Sequence, residues 1–368
     1  MKDMDVVVVG AGVVGLAVAT AWARKGHSVL VLESESGPAQ GVTSRSSEVV
    51  HAGLYYPTES LKARLCVEGR ERLYAFCESR QVAFRKTGKW IVATEDDQIE
   101  RLEAIESQGR ANGVSGLFQV DSDQVRQSEP DIECRAALLS TETGIVDSHG
   151  LSLSLLAELE GFKGRILTRH EVVGLERIRD CWRVDARHQE EVQSVVCGIL
   201  INAAGLDSDQ MAALAGIPVE TSGYRIHLCK GDYFSLAPSA PIELSRLVYP
   251  VPAGAGLGIH ATLDLAGAIR FGPDAEYVDA RDFRVESEKA GLFAEVIQRY
   301  LPRVRAEWLS PDYSGIRPRL ARPGEAFRDF VVAEESAVGL PGLINCVGIE
   351  SPGLTAALAI GEYTLGLV

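Results

Sequence analysis

The chain has 368 residues, 24% of them charged, with a formal net charge of −14. That balance excludes a broadly basic nucleic-acid-binding surface, and the 46% hydrophobic content excludes a disordered chain. The length calls for two domains rather than one simple core.

Residues 5–33, DVVVVGAGVVGLAVATAWARKGHSVLVLE, predict a buried strand (6–9), a glycine loop, a helix to about Lys25 and a second strand (28–32). Gly10 permits the tight turn, Gly12 lets backbone approach a pyrophosphate, and Gly15 lets the helix pack on the strand. The first helical amides, Val14 among them, then face phosphate oxygens. Glu33, followed by Ser34, ends the second strand 18 residues past Gly15, where a carboxylate accepts hydrogen bonds from ribose hydroxyls. A bare glycine-rich turn in another α/β fold is the plainer alternative, but strand, loop, helix, strand and acid in this order favour a dinucleotide site. An acid at 33 disfavours a 2′-phosphate, so NADP is the weakest candidate; FAD and NAD stay open at this point.

Further along, 58–80 reads as a helix with Leu61, Leu65, Leu73 and Phe76 on one face and Thr58 as its cap. Strands are expected within 84–94 and an amphipathic helix over 96–112; a helical turn closes at 127–130. A helix starts near Asp147 or Ser148, and short strands follow between 165 and 202. The last of these runs into Ala203-Ala204-Gly205, small residues that let backbone approach a ligand such as the same dinucleotide; a simple strand-to-helix turn is an equally good reading of them. From 221 to 325 strand-like segments dominate (KGDYFSL, RLVYPVP, LGIHATLD, AIRFGP), with one helix near 284–300. They suggest an antiparallel sheet roofing a site. The final residues resemble the amino-terminal unit in pattern, with the strand LINCVG, the loop GIESPGL and a helix of small residues. The expected fold class is therefore α/β (α+β overall). A discontinuous Rossmann-like domain (1–83, 140–220 and 326–368) accompanies a mostly antiparallel substrate domain with helices (84–139 and 221–325).

Seven cysteines (66, 77, 134, 181, 197, 229 and 346) form no CxxC pair, and Cys197 and Cys346 sit in apolar strings. There a thiol behaves as a small hydrophobe, so a reduced, cytoplasmic protein is expected. The amino terminus shows no signal-peptide pattern and no apolar run could span a bilayer. Any membrane contact would be peripheral, at the inner face. No metal site is read.

The motifs together resemble the D-amino-acid-oxidase-like FAD oxidoreductases, nearest to the branch containing L-2-hydroxyglutarate dehydrogenase/oxidase. The matching pieces run from end to end: VVVVGAGVVGLA (6–17), TSRSSEVVHAGLYYPTESLKARLCVEG (43–69), TGKWIVAT (87–94), TGIVD (143–147), KGDYFSL (230–236), YPVP (249–252), GIHATLDLAG (258–267), GIRPRL (315–320) and GIESPGLT (348–355). The resemblance implies FAD, with the flavin ring between the two domains. It places Thr43, Ser44, Arg45, Ser46 and Ser47 along the phosphate and ribitol, and His51, Ala52 and Gly53 beside the isoalloxazine. It adds Val172, Val173, Ala203, Ala204 and Gly205 to the cofactor set. At the carboxyl end it adds Gly348, Ile349, Glu350, Ser351, Pro352, Gly353, Leu354 and Thr355, with helix amides near the flavin N1–C2=O edge.

The implied reaction is oxidation of a small L-2-hydroxy acid, L-2-hydroxyglutarate to 2-oxoglutarate, by hydride transfer from C2 to flavin N5. Its base should have a pKa near neutrality, which favours histidine. Of seven histidines, His51 and His260 lie in family motifs, and the choice between them stays open; an inert core histidine, or a substrate hydrogen bond without proton transfer, is the alternative for each. A dianionic substrate needs cationic handles, and Arg317 is the expected bidentate carboxylate clamp. Arg319, two positions on, is expected to point elsewhere as a surface or ion-pair residue. Tyr249 and Lys230 are secondary candidates, and Tyr55 and Tyr56 are candidates to line the pocket, with packing the default. The competing functions are an amine or amino-acid oxidase of the same fold, a catalytically idle flavin-binding module, and a nicotinamide dehydrogenase. The electron acceptor (oxygen, a quinone or an electron-transfer protein) is not legible.

Overall fold

The computed structural model describes residues 2–252, 258–325 and 327–368. The strand Met4–Val9 ends at the glycine loop, the helix Val13–Arg24 follows, and the strand Val29–Leu32 lies parallel to the first. These strands are apolar on both faces because helices cover one side and further chain the other. Parallel to Met4–Val9 on its other side runs the end of Glu191–Asn202, and Leu340–Val347 extends the sheet beyond it. Arg165–Leu167 adds a parallel edge, and the antiparallel strands Glu171–Ile178 and Cys181–His188 complete the opposite wing. Val13–Arg24 packs against Ser148–Gly161 and the carboxyl-terminal helix Gly353–Leu365 in one apolar core.

The second large sheet is antiparallel except where Leu247–Pro250 runs parallel to Lys89–Ala93. His227–Leu236 pairs along its length with Leu309–Arg319. A small three-stranded sheet (Val49–Val50, Phe84–Arg85, Gly144–Val146) joins the two. Seven free cysteines, most of them buried, match the reading of small hydrophobes. No helix among the described residues is long and apolar enough to cross a membrane.

Several expected boundaries move. The second long helix is Leu61–Arg80, and its cap is Ser60, whose Oγ accepts the Ala63 N–H at 3.1 Å, rather than Thr58. The helix expected over 96–112 is a 3₁₀ turn, Asp96–Gln98, running into Ile99–Ala111, and the one near 284–300 shortens to Ala290–Ile297. Local pattern does not signal the strands Leu117–Asp121, Ala136–Ser140 and Val331–Glu335, nor the full length of Leu309–Arg319. Pro311, Gly315 and Pro318 interrupt the pattern of that last strand. It tolerates them because its pairing is to His227–Leu236 on one side, leaving the other edge without ladder bonds to lose. Leu257, which opens LGIHATLD, lies outside the described residues; the strand there is Ala261–Leu263.

Candidate active site

A cavity of about 1110 Å³ is lined by the Gly10 loop, the 43–56 segment, the second sheet and the carboxyl-terminal loop. That exceeds the roughly 300–1,000 Å³ usual for a single small ligand, leaving room for a dinucleotide and a substrate together. The glycine loop is shaped by close backbone approach. A Cβ on Gly10 would stand 2.5 Å from the Ala203 carbonyl oxygen, and one on Gly15 would stand 1.9 Å from that of Gly10. The strand Glu191–Asn202 therefore delivers Ala203 and Ala204 against the loop, where only small residues fit. Glu33, nearly buried, accepts the Ala11 N–H at 2.6 Å and the Glu35 N–H at 2.8 Å. Its carboxylate is thus fixed beside the cavity, with lone pairs left for a ribose. Thr43 Oγ1 accepts the Val13 N–H at 3.1 Å, tying the 43–47 segment to the helix start. A glycine-walled helix N-terminus next to a fixed carboxylate fits an adenosine diphosphate moiety.

Most of the expected cofactor residues line this cavity; seven do not. Gly15 acts in helix–strand packing, as its place in the fingerprint implies. Ser44 turns its hydroxyl to the Gln40 and Gly41 carbonyls. Ala52 is buried in a satellite core, Gly53 packs on Val67, and Gly348 packs on Leu320. Val173 is the extra residue of a bulge between Val172 and Gly174, where the ladder with Cys181–His188 shifts register, and it stays out of the lining. Thr355 supports the site from behind: its Oγ1 accepts the His51 N–H at 3.0 Å.

The other part of the cavity is built from side chains. His51 follows the strand Val49–Val50, and its Nε2 lies 3.2 Å from Ser351 Oγ. Burial, and then the charge of Lys89, push its pKa down to about 3, so the ring is a neutral proton acceptor near pH 7. His260 is 5% exposed and stacks face to face on Tyr249, with ring centroids 3.5 Å apart and 8° between planes. Burial raises the Tyr249 pKa and keeps that phenol protonated. Tyr55 and Tyr56 also line the cavity.

Arg317 reaches the cavity with part of its fork engaged. Its Nε donates to the Cys229 carbonyl at 3.4 Å, and Nη2 donates to those of Lys230 (3.2 Å) and Asp274 (2.6 Å). Gly231 makes room for it: a Cβ there would meet Nη2 at 2.9 Å. The Nε/Nη2 edge expected to clamp a carboxylate is therefore occupied, and among the described residues Nη1 is the nitrogen left for substrate.

Lys230 does not join the lining. Its ammonium pairs with Asp232 at 3.4 Å and donates to the Arg284 carbonyl, because the alternation of its strand turns it away from the cavity. The expectation that Arg319 points away from Arg317 is corrected: residues two apart on a strand share a face, and both line the cavity. Its ion pair is real, with Nε 3.3 Å from Glu350 Oε2. Lys62, inside the matching piece 43–69 but given no role there, holds the other Glu350 oxygen at 2.8 Å. Lys89, likewise inside the matching piece 87–94, stands behind the aromatic wall of the site. Nothing local signals either lysine, since their partners come from distant segments.

A family described as FAD dependent oxidoreductase matches residues 5–367. The chain belongs to this family. It is an FAD-dependent oxidoreductase, and the lining of the cavity fits such a cofactor. The chain is 37% identical over 403 residues to the mitochondrial L-2-hydroxyglutarate dehydrogenase of Arabidopsis thaliana, covering 98% of this chain and 83% of that one. It is 31% identical to the Homo sapiens enzyme of the same name (98% and 87% covered) and 28% identical to that of Escherichia coli K12 (99% and 93%). Among solved structures, an L-alpha-glycerophosphate oxidase from Mycoplasma pneumoniae with FAD bound superposes with a TM-score of 0.87 at 22% identity, covering 100% of this chain and 95% of that one. Glycine oxidase from Geobacillus kaustophilus gives 0.82 at 18%, covering 99% and 94%. At such identities the likeness is one of fold.

Proposed function

We propose that this oxidoreductase converts L-2-hydroxyglutarate to 2-oxoglutarate. The observation that carries the reading is that His51, His260, Tyr249 and Arg317, from four separate segments, line the same cavity as the dinucleotide loop. The relatives' names supply the substrate. In this reading one histidine takes the C2 hydroxyl proton as the C2–H bond gives up its electron pair and the C=O bond forms. FAD, when bound, supplies the hydride acceptor at N5. The Arg317 Nη1 would orient one carboxylate, and the Tyr249 ring would hold His260 in place. Buried tyrosines exclude water from the reacting face.

The same reading assigns residues 1–83, 140–220 and 326–368 to the FAD unit, and 84–139 and 221–325 to the substrate unit. The two large sheets support that division. The free thiols support a cytoplasmic setting. Anaerobic bleaching of the bound flavin tests the substrate. L-2-Hydroxyglutarate should bleach it faster than D-2-hydroxyglutarate, L-lactate, glycine or L-proline. Preferential bleaching by an amino acid would replace this reading with an amino-acid oxidase on the same fold.

A further inference from the structure

Among the described residues three lysines have almost fully buried side chains: Lys62, Lys89 and Lys230, at 4%, 1% and 7% exposure. Lys62 has Glu350 and Lys230 has Asp232, as a buried charge requires. Lys89 has no carboxylate partner among the described residues. Its Nζ lies over the rings of Tyr55, at 4.8 Å, and Tyr249, at 4.4 Å. The His260 ring covers one face of Tyr249, so the ammonium takes the other. A cation, a phenol and an imidazole are therefore stacked in that order. His51 is close enough for the Lys89 charge to oppose its protonation.

The groups facing this cluster are Tyr55 and Tyr56 from the segment after Val49–Val50, Cys66 and Arg70 from the helix Leu61–Arg80, Tyr249 from its strand with Tyr233 and Tyr300 near it, and Glu350 and Ser351 from the carboxyl-terminal loop. Arg70, a further cation, donates to the Ala52 carbonyl and pairs with Glu71. Burial holds the phenols and the thiol protonated, and Glu350 is engaged by Lys62 and Arg319. None of them balances the Lys89 charge. Protonating His260 would place a second cation on the opposite face of Tyr249, its ring 3.5 Å from the phenol ring whose other side holds the ammonium at 4.4 Å, and the two would repel through that ring in a low-dielectric site.

We propose that Lys89 is a positioning residue for the base: its ammonium, packed behind Tyr249, keeps the cavity histidines unprotonated and ready to accept the substrate hydroxyl proton. The proposal rests on the hydroxy-acid reading for its kinetics, but not for its electrostatics. Burial lowers the Lys89 pKa to about 7, so the ammonium is present on the acid side of the profile, where the histidines would take up protons.

The test uses FAD-loaded protein with wild-type Lys89, Lys89→Met, Lys89→Gln and Lys89→Arg. Anaerobic flavin reduction by L-2-hydroxyglutarate is followed from pH 3 to 9, and the histidine rings are titrated over the same range by carbon-13 NMR, assigned with His51→Asn and His260→Asn. Removing the charge should move the acid limb of the rate profile, and at least one of the two histidine titrations, up by about one pH unit or more. That corresponds to about tenfold slower reduction on the acid side, with rates near wild type at pH 9. Lys89→Arg keeps the charge and should keep both the profile and the titrations. A uniform rate loss at every pH with unmoved histidine titrations would assign Lys89 to packing and overturn the proposal. So would an arginine variant whose histidine titrations move as far as those of the methionine variant. If L-2-hydroxyglutarate fails to bleach even the wild type, the substrate reading fails, while the NMR titrations still decide the role of Lys89.

Discussion

The two parts of the cavity are built in different ways. Around Gly10 the wall is backbone: close-packed glycine and alanine, a helix N-terminus and one carboxylate, most of it from a single stretch of about 29 residues (5–33). Around His260 the wall is side chains from the 43–56 segment, the second sheet and the carboxyl-terminal loop. The first holds a ligand whose charge is fixed, and backbone amides do that without choosing a substrate. The second must choose a substrate and move a proton, which needs groups of tuned pKa held by neighbours from elsewhere in the fold.

Breaking the side-chain wall should cost rate and spare the cofactor. His260→Ala and His51→Ala are the sharpest probes. Loss of the base should slow anaerobic flavin reduction by ~10²–10⁴-fold, while the other histidine costs less, and flavin absorbance per protein stays near wild type in both. Equal, small losses would show that neither ring takes the proton.

Breaking the backbone wall should do the reverse. Gly15→Ala puts a Cβ 1.9 Å from the Gly10 carbonyl oxygen, forcing helix and loop apart at roughly 3 kcal/mol. Urea midpoints and flavin content should both fall. Full flavin retention would mean the loop relaxes without harm.

Arg317 sits where the two kinds of construction meet, because it binds three carbonyls and also faces the cavity. Lysine in its place keeps the charge but loses most of those bonds, so Arg317→Lys should slow reduction at least about tenfold and also lower the melting temperature. Slowed reduction at an unchanged melting temperature would show that the carbonyl bonds matter little. Glu33→Ala should weaken FAD retention by about 1–3 kcal/mol and leave the rate of the loaded fraction alone, as equilibrium dialysis would report.

A separate effect is expected in the pH dependence of stability. His51 is held neutral in the folded state, whereas the unfolded chain takes up its proton near 6.5. The unfolded state therefore binds more protons as pH drops below about 6.5, and His51 makes stability fall from there toward pH 3. Urea midpoints of His51→Asn should decline less steeply between pH 6 and 4 than those of wild type.

The same contrast explains which parts of the site are legible in the sequence. Gly10, Gly12, Gly15 and Glu33 can be placed from spacing, because strand, turn and helix are contiguous and their geometry is local. His51 and His260 can be nominated through family motifs, but no spacing relates residues 209 positions apart. Lys230 misleads because a lysine in a matching motif looks cationic whichever way its strand turns it. Arg319 misleads only if the strand period is ignored: two positions on from Arg317, it shares that residue's face.

By itself the sequence determined the nucleotide-binding unit, the α/β class and the chemical types needed for hydride and proton transfer. Periodicity and turn chemistry are written residue by residue, so they survive without the fold. Only the tertiary structure decided which charges are free to act. Lys62 and Arg319 are matched to Glu350, Lys230 is matched to Asp232, and Arg317 is half engaged by carbonyls, whereas Lys89 is left with aromatic faces. The reason is physical: a side chain's charge is set by what surrounds it within a few ångströms, and here those surroundings are drawn from strands and loops far apart in the chain.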